Sequence, residues 1–512
     1  MVISKTDLVL HEGVVLGQAA SNSVAVADGR IIALGLYDQL KGLVGPRTRL
    51  VKLGGRAVAP GFIDSHLHFL EGASAAAGVQ VSRARNLPEL FADLRIGAAR
   101  TAPGNWLRAF GCDEALLKER RGPARKELDD AVAKNPLRLR HQTLHASWLN
   151  SRAIQALGLE RPDFKPPEGA AMVRDAAGRL SGLVIGMEEW ITRHLPPVTI
   201  ADIESRARNF SRELAASGTT TFTDATVRNG IDEIRLFARL RSAGALCQRA
   251  LLMIGASHAE QAADACSIAA AAGIKVSAVK FMPDGSVDAA SWAGAIRAAK
   301  REGLDCAFHA TEVEELERAL AAIESALRSD SKAAATQWRI EHGGVIPPNY
   351  IERIRALGAW VVTNPGFVHF RGVKYRQEPG LVPQLYRIRS LKRAGIELAG
   401  ATDAPVTPAR PLAAIAAAVS RTATDGEQLA PDEAIEVSDA LALFTSSAAQ
   451  LARLESGEIA IGKLADLIVL PENPLEMSPA ELMSLPVDMT IINGRIVYER
   501  GVPAQYSGVP DI

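Results

Sequence analysis

Two histidines one residue apart, His66 and His68, stand in the stretch Pro60-Gly61-Phe62-Ile63-Asp64-Ser65-His66-Leu67-His68. Phe62, Ile63 and Leu67 give it the short apolar run of a buried strand, and residues two apart on a strand project to the same side. The two imidazoles would then share a face, and a neutral ring nitrogen is a good donor to zinc and similar divalent ions. A bare His-x-His also fits a pair of core or loop histidines. Here a Pro-Gly turn sets up the strand and Asp64 flanks the pair, which favours the metal reading. Two ligands leave a site incomplete, so more donors are expected downstream.

Four residues answer that expectation. Lys280 follows the apolar run Val276-Ser277-Ala278-Val279, His309 follows Cys306-Ala307-Phe308, His342 follows Arg339-Ile340-Glu341, and Asp403 follows Ala399-Gly400-Ala401-Thr402. Taken singly, each has an ordinary reading: a surface lysine, two structural histidines, and a helix N-cap before Pro405. Taken in order, each at the end of a strand-like run, they point to one centre.

The elements that must position them are legible from about Ile200. A helical run from Ala201 to Ser217 ends at Gly218, a C-cap signal, and the β-branched stretch Thr219-Thr220-Thr221-Phe222-Thr223-Asp224 follows. Further strand runs lie at Arg249 to Ile254, Lys275 to Met282, Cys306 to His309, Trp338 to His342, Trp360 to Thr363 and Ile396 to Asp403, with helical patterns between them. Strands alternating with helices predict a parallel sheet closed into a barrel, with its chemistry at the carboxyl ends of the strands. Both chain ends have a different texture of short apolar runs and turns. Asp28-Gly29 and Asn493-Gly494 are hairpin signals, and two strand-rich ends can pair in space. Between residues 72 and 190 helical patches alternate with turn-rich segments such as Arg161 to Gly169, far more chain than one barrel loop needs. An inserted subdomain over the barrel mouth is the expectation.

The stretch Pro60 to His68 resembles the first-strand signature of the metal-dependent amidohydrolase superfamily. The phrases Lys280-Phe281-Met282-Pro283-Asp284-Gly285, Arg339-Ile340-Glu341-His342, Thr402-Asp403-Ala404-Pro405-Val406 and His145-Ala146-Ser147-Trp148-Leu149-Asn150-Ser151 resemble its N-substituted formamide deformylase-like branch. Gly462-Lys463-Leu464-Ala465-Asp466-Leu467-Ile468-Val469 is similar to the phrase with which the family re-enters its β-sandwich. The resemblance covers nearly the whole chain. It implies an α/β fold: a TIM-type barrel (residues 56–71 and 191–455), a small β-sandwich from both chain ends (1–55 and 456–512) and an inserted lid (72–190). It implies that His66 and His68 bind one metal, His309 and His342 a second, that carboxylated Lys280 bridges them, and that Asp403 binds metal and serves as base. The expected reaction is hydrolysis of a carbon-nitrogen bond, amide, N-acyl or N-formyl, by a metal-activated water, with zinc the first choice of ion at one or two per chain. His145 would hydrogen-bond the substrate; a structural role fits it equally. Thr143-Leu144 replaces the family's Asp-Gly before His145, a departure that bears on substrate identity more than on reaction type.

Bulk properties narrow the partners. The 512 residues suffice for a large core and two or three domains, and 58 Lys plus Arg against 58 Asp plus Glu leave no general pull toward nucleic acid or an anionic membrane. The expected partner is a small-molecule substrate, with homo-oligomerisation left open. Cys112, Cys247, Cys266 and Cys306 form no metal or disulfide spacing and read as buried free thiols; with no signal peptide or membrane span legible, a cytoplasmic home is expected. Two other readings stand beside hydrolysis of an amide. One is a single-metal deaminase of a nitrogen heterocycle, in which Lys280 is only a neighbour. The other is a metal-free scaffold on the same fold, against which the intact ligand set argues.

Overall fold

The computed structural model describes residues 6–196, 198–283, 285, 292–329 and 336–502; Asp284, part of the Lys280 phrase, lies outside them. The chain forms two compact units, Met1–Phe69 with Ser211–Ile512, and Leu70–Phe210.

The first unit is built on eight parallel strands: β1 (Phe62–Leu67), β2 (Thr219–Asp224), β3 (Arg249–Gly255), β4 (Lys275–Phe281), β5 (Asp305–Ala310), β6 (Trp338–His342), β7 (Trp360–Thr363) and β8 (Leu398–Gly400). They hydrogen-bond in sequence order, and the barrel closes where the segment after β8 meets β1. There Asp403 N–H donates to His66 O at 2.9 Å and His68 N–H to Ala404 O at 2.8 Å. Helices cover the outside because their apolar residues recur at helical spacing. In Val313–Ser329, Leu316, Ala319, Leu320 and Ile323 are buried along one stripe. At the heart of the barrel, small residues leave room for larger ones above: Ala278 and Ala307, each two positions before Lys280 and His309, pack with Met253 and Ala225.

The chain ends do pair. One sheet contains Leu8–His11, Ser23–Ala27, Arg30–Gly35 and Arg49–Lys52; a second combines Val14–Val15 and Ala57–Pro60 with Leu467–Leu470, Met489–Ile492 and Arg495–Glu499. Leu10, Val24, Val58, Leu467 and Ile491 share one core between the two sheets. The Asp28-Gly29 and Asn493-Gly494 turns have positive φ at both residues, the conformation that a tight hairpin requires. The Gly462 phrase has a structural reason as well. Asp466 is buried, accepts from Arg249 Nε at the start of β3 at 2.7 Å, and takes Asn493 N–H at 2.7 Å, so one carboxylate ties sandwich to barrel.

The second unit carries a six-stranded sheet in the order Ala171–Arg174, Leu180–Ile185, Ala146–Leu149, Leu137–His141, Leu107–Cys112 and Val79–Gln80. Of the four cysteines, all free, Cys112 and Cys306 are buried as expected, whereas Cys247 and Cys266 are only half-buried. Among the described residues no helix is long and apolar enough to cross a membrane.

Candidate metal centre

Strand β1 brings His66 and His68 to the rim of the barrel, with ring centroids 5.4 Å apart. Each ring has its Nδ1 engaged from behind. His66 Nδ1 lies 2.5 Å from Glu341 Oε2, and His68 Nδ1 lies 3.0 Å from Thr226 Oγ1. A neighbour on Nδ1 fixes ring orientation and leaves Nε2 as the ligand atom. His342 is held in the same manner by Asn364 Oδ1 at 2.8 Å. Its ring centroid lies 4.6 Å from that of His66 and 4.5 Å from that of His309.

Asp403 reaches this group from beyond β8. Its Oδ1 stands 3.2 Å from His68 Nε2 and 3.6 Å from His66 Nε2, yet it is buried and aligned with neither as a hydrogen bond. Asp64 straps the segment in place: its carboxylate accepts Thr402 N–H at 3.0 Å and the Thr402 hydroxyl at 2.5 Å. Burial pushes Asp64 up to about 7, against the pull of the Thr402 hydrogen bonds. Lys280 is fully enclosed, and its Nζ has no hydrogen-bond partner among the described residues. Burial pushes its ammonium down to about 8, although Glu341 and Asp403 favour the charge.

The electrostatics of the group suit a cation. Burial drives His66 well below its ordinary value, helped by Lys280 and His342, and burial lowers His342 despite Asp403. For His68 the burial effect is outweighed by Asp403, which raises it. For Asp403 burial opposes, but His68, His342 and Lys280 together hold the carboxyl below the usual range. His66 and His342 therefore present neutral imidazole nitrogens and Asp403 an ionised carboxylate, the protonation states that a divalent ion requires, whereas His68, raised by Asp403, would give up its proton to a bound ion. The spacing fits as well. Two atoms each about 2.0–2.1 Å from a tetrahedral zinc stand roughly 3.4 Å apart, beside the 3.2 Å and 3.6 Å seen here. His66, His68 and Asp403 offer ligand atoms all within 4.8 Å of one another.

His66, His68, Lys280, His309, His342 and Asp403 thus all belong to one barrel rim. Lys280 and His309 are each the next-to-last residue of their strands, and Asp403 lies three residues past the end of β8. His145 belongs to the second unit, exposed on the turn leading into Ala146–Leu149. The supporting residues Glu341, Arg339, Asn364, Thr226 and Thr402 were not singled out from the sequence. Glu341 offered a signal, a carboxylate immediately before a histidine at the end of an apolar strand.

Known proteins similar to this chain identify its family and fold. The family described as "Amidohydrolase family" matches residues 49–498. The chain is 26% identical to the N-substituted formamide deformylase of Arthrobacter pascens, covering 94% of this chain and 96% of that protein. It is 24% identical to the Protein LONG AFTER FAR-RED 3 of Arabidopsis thaliana, over 96% of this chain and 91% of that protein. In fold it is similar to the crystal structure of an uncharacterized metal-dependent hydrolase from Pyrococcus horikoshii OT3, with a TM-score of 0.72 and 21% identity over 92% of this chain and 99% of that one.

Proposed function

The chain belongs to the amidohydrolase family, and on that premise we propose that this metal-dependent hydrolase cleaves small N-acyl or N-formyl amides, with Asp403 as its base. The observation that carries the reading is Asp403 Oδ1, buried between two imidazole Nε2 atoms and bonded to neither. Such an oxygen is placed for a cation and for a proton. The similarity to a formamide deformylase supports the N-formyl and N-acyl class.

We assign His66, His68 and Asp403 to one divalent ion, zinc by donor type, and His309 and His342 to a second. Lys280 would join them after carboxylation, in which the neutral amine adds to carbon dioxide and releases a proton. Its enclosure and its position near 8 favour the neutral amine that this addition needs. A divalent ion supplies a water of near-neutral pKa and polarises the scissile carbonyl. Asp403 takes the proton of the attacking water on its carboxylate and passes it to the departing nitrogen. Glu341, Thr226 and Asn364 keep three imidazoles in one orientation during that transfer. A substrate contact for His145 rests on the sequence resemblance alone. Four free thiols suit a reducing compartment, and we place the enzyme in the cytoplasm.

The test is elemental analysis of protein never exposed to chelator, paired with a substrate panel. One or two zinc ions per chain and turnover of N-formyl or N-acyl amides support the assignment. Turnover confined to ring amines or phosphate esters refutes the substrate class, and no stoichiometric metal refutes the centre.

A further inference from the structure

The helix Gly366–Tyr375 begins just past the end of β7, separated from it by Asn364 and Pro365, and Asn364 is the residue that holds His342. Phe367, Arg371 and Tyr375 stand four residues apart on it and so share one face. That face runs away from the metal centre in contact steps. The Phe367 ring lies 6.4 Å from that of His342 and 5.7 Å from that of Tyr386. The Arg371 guanidinium carbon sits 5.7 Å from the Phe367 centroid, and the Tyr375 and Tyr386 hydroxyls meet at 3.1 Å. Burial raises both phenols; the charge of Arg371 opposes this and that of Asp403 adds to it.

Arg371 itself is unanchored. Its Nε is shut off from solvent without an acceptor, and among the described residues the side chain makes no hydrogen bond and no ion pair. Other arginines of this unit with an unmet N–H are tied down elsewhere: Arg376 by Asp425, Arg387 by Glu433, and Arg241 by the Leu246 carbonyl. The fully buried Arg421 spends its guanidinium on the Leu429, Tyr386 and Leu385 carbonyls. A guanidinium held by stacking, with its N–H edge unused, is prepared for a planar anion from outside the chain.

We propose that Arg371 binds a carboxylate on the substrate, so that the preferred amide of this enzyme is an anionic one. One guanidinium over the Phe367 ring balances one negative charge, which favours a carboxylate over a phosphate dianion. The proposal rests on the amide-hydrolase reading above and adds the charge of its substrate.

The metal-loaded enzyme is assayed on two matched pairs: N-formylphenylalanine with N-formylphenylalaninamide, and N-benzylsuccinamic acid with N-benzylsuccinamide. These place the charge on the amine side or on the acyl side of the scissile bond. In one pair the acid is expected to exceed its neutral partner in kcat/KM by roughly tenfold to a hundredfold, mainly through KM. Arg371→Gln removes that preference, and Arg371→Lys restores part of it. Equal kcat/KM within both pairs of the wild type overturns the proposal while leaving amide hydrolysis standing. So does a preference that survives Arg371→Gln, or a loss in that variant equal for acid and neutral partner. If no pair is turned over, the amide reading fails, and calorimetric binding of the four compounds decides Arg371 separately. An acid must then bind the wild type roughly tenfold more tightly than its neutral partner; equal binding overturns the assignment.

Discussion

In the proposed reading Asp403 combines two tasks on one carboxylate, and its backbone adopts an uncommon conformation where it stands. Its φ is +58°, and that of His342 is +72°. A non-glycine residue in the left-handed region costs of the order of 1 kcal/mol or more, so the surrounding contacts must hold it there. For Asp403 those contacts are the His66 carbonyl and the Asp64–Thr402 strap. Asp403→Asn keeps the size and one oxygen but removes the basicity. It is expected to lose roughly a hundredfold to ten-thousandfold in turnover, to retain most of its metal by elemental analysis, and to lose the acidic limb of its pH–rate profile. Near-normal turnover would remove Asp403 from the role of base. Lys280 gives a prediction for the metal-free protein. Its folded value of about 8 lies below the ordinary 10.5, so between those values the unfolded chain carries a proton that the folded chain has released. Stability therefore rises with pH across that window, and the penalty of burying the amine is full below it. Lys280→Met should flatten the rise by roughly 3 kcal/mol at most, read as the difference between wild-type and variant unfolding free energies at either end of the window.

Among the elements, β6 does the most to organise the site. In its register with β5, Glu341 lies beside His309 and His342 beside Ala310, so by alternation Glu341 shares the side of His309 and His342 should face away. The positive φ at His342 breaks that alternation at the strand's last residue and brings its ring to that of His309. Glu341, fully buried, accepts from Arg339 Nε at 2.8 Å and holds His66, so one carboxylate satisfies a buried guanidinium and orients a ligand. Glu341→Gln is expected to weaken metal affinity roughly tenfold to a hundredfold. Glu341→Ala, which leaves Arg339 buried without its partner, should cost about 3–5 kcal/mol of stability. Metal titration and denaturant unfolding measure the two effects, and a variant indistinguishable from wild type in both would refute this account of the strand.

At the scale of the molecule, the barrel closes through the same residues that would bind metal. Asp403 and His68 donate the two backbone hydrogen bonds that join the segment after β8 to β1. An ion shared by His66, His68 and Asp403 would therefore cross-link the first and last barrel segments. Anything that binds only the folded state stabilises it, by about 2.7 kcal/mol when free ligand is a hundredfold above Kd. Chelation should thus lower Tm by several degrees, and zinc should restore it. A Tm indifferent to chelator, in protein shown to have lost its metal, would mean that the centre does not tie the barrel together.

How much was legible beforehand follows from the physics of local pattern. Strand period places His66 and His68 together, turn chemistry marks the Asp28-Gly29 and Asn493-Gly494 hairpins, and alternation of apolar runs with helical stretches outlines the barrel. These are properties of short windows, written in the order of residues. Partners remote in the chain are another matter. Glu341 meets His66 across 275 residues, Asp64 meets Thr402 across 338, and Arg249 meets Asp466 across 217. Nor does a local pattern reveal that His342 and Asp403 turn into the left-handed region, or that Arg371 Nε is left without an acceptor among the described residues. Sequence by itself determined the faces and ends of the strands on which the candidate ligands stand. Only barrel closure and strand register decided which side chains face one another, because those contacts exist only once strands hundreds of residues apart are packed into one sheet.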